Sequence, residues 1–169
     1  HGDCDGVISA GLYIKHFLLD YIPDRIVLRF SHPWRLHRDI KEVSNESVGV
    51  LVLLDLALNE ESSKAVEHYL RSTEGTVTII DHHVSSEEYL KRLGEENPKR
   101  VKYVWMPLQS TPMIIAQLVK NLNNYERFLV DVANVCEGGD VEDETVKKVA
   151  DKIKLYLSIA ASSSEAVDR

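Results

Sequence analysis

The chain has 169 residues, 44% of them apolar and 28% charged, with a net charge of −7. That composition describes one globular domain with enough apolar mass to bury a core unaided, and its acidic balance excludes a dedicated, strongly basic nucleic-acid-binding module. The longest apolar run, Val48–Leu54, is too short to cross a bilayer, so no membrane partner is expected. Two cysteines, Cys4 and Cys136, make no disulfide framework; a reduced, cytoplasmic compartment is expected, with Cys4 a small buried filler.

In chain order, Val7–Leu19 is apolar at helical spacing, and Arg25–Ser31 reads as a strand. Val48–Leu56 is a near-continuous aliphatic run that suits a strand buried on both faces. Glu60–Arg71 is helical in pattern and follows Asn59, a good cap. Thr76–Asp81 is a further strand rich in β-branched residues, followed by a short helix at Ser86–Leu93 and a strand at Val101–Trp105. Thr111–Leu122 carries Pro112 in its first turn, and helices at Tyr125–Cys136 and Glu142–Ile159 complete the set. The alternation predicts an α/β fold, a mostly parallel sheet with helices on both faces, over residues 1–160. Residues 161–169 read as the start of a linker to a further domain.

Parallel sheets of this kind bind ligands beyond the carboxyl ends of their strands, and polar residues cluster where those ends are predicted. Asp55 closes Val48–Leu56, and Asp81, His82 and His83 close the run Thr76–Ile80. His1, Asp3 and Asp5 precede a helix where a strand should have ended, so a strand is expected upstream of His1. If that segment is extended, the three share one side, because side chains repeat every second residue. Asp140 follows Gly138 and Gly139 at the end of a helix. Taken singly, each group has a plainer reading: helix caps at Asp5 and Asp140, a cap or loop residue at Asp55, an exposed histidine pair at His82 and His83. Taken together, they are acids and imidazoles without clustered thiols, which favours Mn2+ or Mg2+ over a structural zinc. The six candidate ligands His1, Asp3, Asp5, Asp55, His82 and Asp140 allow two ions, the arrangement used to hydrolyse phosphate esters.

The motif Asp81-His82-His83, with the acid-rich stretch His1–Gly6 ahead of it, resembles the DHH phosphoesterase family, and within it the RecJ-like exonucleases, archaeal members included. Asp55 after Leu54 resembles the family's lone aspartate after a strand, and Asp140 its aspartate after a helix. The segment Gln109-Ser110-Thr111-Pro112 resembles the Ser/Thr-rich start of a helix that follows the third motif. The resemblance implies one metal at His1, Asp3 and Asp55, and another at Asp5, Asp55, His82 and Asp140, with Asp55 bridging. It implies that His83 contacts the phosphoryl oxygens and that Asp81 orients His82 or His83. The family's second, smaller domain, with its glycine-rich substrate motif, has no counterpart in this sequence.

Arg35 and Arg38, beside His37, are candidate contacts to a nucleic-acid backbone, and Trp34 a candidate base-stacking residue; solvation and packing are the plainer readings. Lys91, Arg92, Lys99, Arg100 and Lys102 form a looser basic cluster with the same ambiguity. The leading expectation is a single-strand exonuclease on DNA or RNA with two Mn2+ or Mg2+ ions, able to take short oligonucleotides and to join a replication or repair partner. The alternatives are a small-nucleotide phosphodiesterase or pyrophosphatase of the same family, and an inactive replication scaffold on the same fold.

Overall fold

Three aliphatic runs pair in the computed structural model, which describes residues 2–21, 25–46 and 48–167, with side chains as far as Ile159. They are β1 (Val50–Leu54), β2 (Thr76–Asp81) and β3 (Val101–Trp105). All run parallel in the order β1-β2-β3, with Leu54 beside Ile80 and Asp81 beside Trp105. Seven α-helices are described: α1 (Cys4–Phe17), α2 (Leu36–Val43), α3 (Glu60–Ser72), α4 (Glu87–Glu96), α5 (Thr111–Leu118), α6 (Asn124–Cys136) and α7 (Glu144–Val167).

Alternation along β2 sends its side chains to two cores. Val77 and Ile79 join Leu53 against α2, α3 and α4, where Leu36, Ile40, Tyr69 and Leu90 are buried. Ile80 turns the other way, with Leu54 and Val104, onto α1, α5 and α6. Helices therefore cover both faces of a parallel sheet, as the sequence predicts. A third cluster, around Val132, Val146 and Ala150, seats α7 on α6 and on the start of α1. Among the described residues, no helix is long and apolar enough to cross a membrane.

Three readings of the sequence are corrected. Arg25–Ser31 is no strand: it pairs with none of the described strands, and Val27, Leu28 and Phe30 are 76%, 55% and 56% exposed. A strand needs a partner's backbone groups; here Arg29 instead anchors the segment to Glu46 by a 2.6 Å ion pair. The unforeseen α2 follows it, driven by burial of Leu36 and Ile40 one helical turn apart. The acid-rich start is not extended: the Asp3 carboxylate accepts the Gly6 N–H at 2.9 Å as an N-cap, so α1 begins at Cys4.

Candidate metal centre

The carboxyl rim of the sheet gathers residues from four elements. Asp55, directly after β1, has a left-handed backbone (φ +56°), the one such non-glycine among the described residues. Aspartate tolerates that region better than most residues, and its local strain persists where tertiary contacts over-determine it. The Asp55 N–H donates to the Ile80 carbonyl at 3.1 Å, which ties the turn to the end of β2. Asp81 ends β2, and His82 and His83 follow. From α1, Asp5 turns inward and is fully buried. The N-terminus of α5 completes the floor: the Thr111 N–H donates to Asp5 Oδ2 at 3.1 Å, and the Thr111 hydroxyl to Asp55 Oδ1 at 3.4 Å.

Each imidazole is held at one nitrogen. His82 Nδ1 lies 3.1 Å from the Leu108 carbonyl. A carbonyl only accepts, so Nδ1 carries the hydrogen and Nε2 is directed at the acids, 3.4 Å from Asp55 Oδ1 and 3.8 Å from Asp5 Oδ2. His83 Nδ1 lies 2.7 Å from Asp81 Oδ1, and the Trp105 indole N–H donates to the His83 carbonyl at 2.9 Å. A buried carboxylate behind an imidazole fixes its tautomer and orientation, and Asp81 stands so behind His83.

Burial and crowding set the protonation of this rim. Desolvation, then the charge of Asp55, lifts the Asp5 carboxyl to about 8. Desolvation also raises Asp55, with the charge of Asp3 adding to it. The hydrogen bond to Asp55, helped by the charge of Asp5, lifts His82 to about 9. Without a cation, the cluster therefore holds protons that a divalent ion would replace.

The donor set fits such an ion. Asp55, His82 and His83 each offer a ligand atom, all within 4.8 Å of one another. They are oxygen and nitrogen donors with no sulfur among them, a set that could hold a divalent metal ion with solvent completing the shell.

Not every expected residue arrives. His1 lies outside the described residues. Asp3 stands at the rim, close enough for its charge to raise both Asp55 and Glu137. Asp140 does not join the cluster: its side chain is 91% exposed and pairs with Lys147 at 3.2 Å. Gly138, at φ +86°, turns the chain away after α6 and carries Asp140 outward. Arg35 is committed to Asp39 through three contacts of 2.9 to 3.1 Å, and Arg38 is exposed on α2. Trp34, 68% exposed, stacks on His32 with ring centroids 6.0 Å apart. In the looser basic cluster, Lys91 pairs with Glu87, and Arg92 with Ser63, Glu60 and Glu67.

One acid at this rim is absent from the sequence expectation. Glu137, the residue after α6, lines a cavity of about 300 Å³ together with His82, His83, Pro107, Leu108 and Gln109. Desolvation, then the charges of Asp3 and Asp55, raises its carboxyl, and the Gln109 side-chain amide donates to its backbone carbonyl. The sequence signal was only its place at a helix end ahead of two glycines. A roomier cleft of about 430 Å³, at Gly94, Glu95, Lys102 and Tyr103, has no histidine and no buried acid, unlike the smaller cavity. No protein-family model, no curated protein and no solved structure matches the chain.

Proposed function

We propose that this chain is the catalytic domain of a divalent-metal-dependent phosphodiester hydrolase, a RecJ-like exonuclease that removes nucleotides from single-stranded DNA or RNA with Mn2+ or Mg2+. The observation that carries the reading is the meeting of Asp55, His82 and His83 over the buried Asp5, at the rim where parallel sheets bind their substrates. Asp55, His82 and His83 would hold one ion, and Asp3 and Asp5 would serve a second, with Asp55 shared. Bound there, divalent cations supply a water of lowered pKa and offset the charge that builds on phosphorus. The chain's own residues do the positioning. Leu108 keeps the His82 Nε2 directed at the acids, and Asp81 holds the His83 Nδ1–H at the cavity wall, leaving the His83 Nε2 as its ligand atom. Thr111 orients both buried carboxylates, donating its N–H to Asp5 and its hydroxyl to Asp55.

The cavity of about 300 Å³ is at the lower bound of small-ligand sites. It suits a strand terminus, and it equally favours the second reading, a small-nucleotide phosphodiesterase. Labelled single strands of DNA and RNA, blocked at either end, separate the two when incubated with Mn2+ or Mg2+. Release of mononucleotides from one free end is the expected result, abolished by chelator. Hydrolysis of dinucleotides alone would establish the small-substrate reading. Metal binding without hydrolysis of either would leave an inactive scaffold and overturn the catalytic proposal.

A further inference from the structure

Trp34 is 68% exposed, so the structure removes the plainer reading of it as a packing residue. Its indole lies parallel to the His32 imidazole, within 5°, with ring centroids 6.0 Å apart. The loop that carries both rings is held at several points. The His32 carbonyl accepts the N–H groups of Arg35 and Leu36 at 3.0 and 2.9 Å. The Ser31 hydroxyl donates to Asp39, Arg35 pairs with Asp39 at 2.9 Å, and Leu36 is buried in the core beside α2. Phe30, also exposed, adds a third ring upstream. An indole left in water on a fixed loop forgoes the burial that large aromatic side chains ordinarily gain. The loop also lies at the carboxyl rim on two counts. Phe30 packs over Gly2, where a Cβ would lie 3.8 Å from the Phe30 Cβ, and Gly2 adjoins Asp3, the cap of the helix that carries Asp5 into the rim. Farther along, His37 Nδ1 lies 3.5 Å from Glu61 Oε2 in the first turn of α3, the helix that follows Asp55.

We propose that Trp34, backed by His32, is a stacking platform for a base of single-stranded nucleic acid whose backbone runs on to the metal rim. The proposal rests on the reading of that rim as a phosphodiester hydrolase, and it names how the strand is gripped. A chain of net charge −7 has few cations to spare for a phosphate backbone, and Arg35 is committed to Asp39. Stacking needs no net positive charge. Every base has a π-face, so an aromatic ring grips a strand whatever its sequence. In a duplex both faces of a base are covered by its stacked neighbours, so the platform selects single strands. Arg38, four residues after Trp34, is exposed and makes no ion pair among the described residues. It is the cation left for the phosphate beside the stacked base.

The test uses the full chain in chelator, where no metal-dependent hydrolysis competes with binding. Labelled single strands of DNA and of RNA, about ten nucleotides long, are titrated and followed by anisotropy and by tryptophan emission. Binding should quench that emission saturably, because Trp34 is one of two tryptophans and the other, Trp105, is held by its N–H to the His83 carbonyl. The strand that binds more tightly identifies the sugar the site prefers. Trp34→Ala should weaken the affinity about tenfold and remove most of the quench, while Trp34→Tyr, which keeps an aromatic face, should recover most of the affinity. The proposal is overturned if the wild-type chain binds neither strand, if Trp34→Ala binds as tightly as the wild type, or if Trp34→Tyr is as weak as Trp34→Ala. Dimerisation that Trp34→Ala abolishes, with strand binding unchanged, would make the surface a contact between copies of the chain and overturn it as well. Hydrolysis of bis(p-nitrophenyl) phosphate by the wild-type chain in Mn2+ reports on the rim separately. Hydrolysis without the quench removes the platform alone, and the quench without hydrolysis supports the platform and removes the catalytic reading.

Discussion

The two rims of the sheet treat polar groups in opposite ways. At the amino rim, the Arg100 guanidinium donates to the carbonyls of Leu70, Thr73 and Gly75 at 2.6, 2.8 and 2.9 Å, closing the end of α3. The Tyr69 hydroxyl donates to the Val48 carbonyl at 2.9 Å, and a side chain at Gly75 would collide with that hydroxyl. Donors and acceptors there are matched by the protein itself. At the carboxyl rim, buried acids raise one another's affinity for protons. Asp81 Oδ2 and the Ser110 hydroxyl are buried with no hydrogen-bond partner among the described residues. Burying a polar group without a partner costs stability, so this rim carries a local deficit that the other does not. The fold is secured at one end of the strands and left open to a cation at the other, which is how active sites commonly trade stability for chemistry.

The largest effect should come from the open rim. Asp55→Ala or His82→Ala should reduce metal-dependent hydrolysis below detection; in chelator, Asp55→Ala should melt level or higher because it removes an acid from a crowded cluster, whereas His82→Ala should lose, below about pH 9, the modest stability its charged form contributes. A large loss of thermal stability in both would mean the rim is structural. The next effect belongs to the closed rim. Arg100→Ala strands carbonyls of Leu70, Thr73 and Gly75 and should cost about 2–4 kcal/mol in denaturant unfolding, with turnover per folded molecule unchanged.

The pH response should sharpen the contrast. His82 is held near 9 against an ordinary 6.5, so its contribution to stability is full below 6.5 and is lost as pH rises through about 9. Asp5 keeps its proton to about 8 when folded against 3.8 ordinarily, so it too favours the folded state less as pH rises. Both terms have the same sign, because the folded state binds more protons. Metal-free melting temperature should therefore fall between pH 6.5 and pH 9, and Mn2+ should oppose the fall by replacing those protons. A metal-free stability that climbs over this range would contradict the assignment. The smallest effect separates two acids. Glu137→Gln should weaken Mn2+ binding measurably, whereas Asp140→Ala, at an exposed pair with Lys147, should change stability by less than about 1 kcal/mol and binding less than Glu137→Gln does.

The strands and most helices were legible because their signals are local. Val50–Leu54, Thr76–Asp81 and Val101–Trp105 are aliphatic or β-branched runs with polar ends, and Asn59 and Pro112 mark helix starts. The gathering of Asp5, Asp55, His82 and His83 was legible for a related reason: a parallel sheet brings successive strand ends to one rim. What failed depended on partners. Arg25–Ser31 has strand-forming residues and no ladder to join. Leu36, Ile40 and Val43 have helical spacing diluted by Pro33, His37 and Arg38. The exchange of Asp140 for Glu137 turns on where α6 stops and on the backbone of Gly138, which no local pattern fixes. Thr111 was read as the start of a helix, but its contacts to Asp5 and Asp55 span 106 and 56 residues of sequence.

The central claim is that Asp55, His82 and His83 form a divalent-cation site, and calorimetric titration of the metal-free chain with Mn2+ tests it most directly. The account predicts saturable binding with proton release, lost when both histidines are replaced by alanine, and a thermal shift that grows with free Mn2+ as mass action requires. No binding at millimolar Mn2+, or undiminished binding in the double-alanine chain, would contradict it.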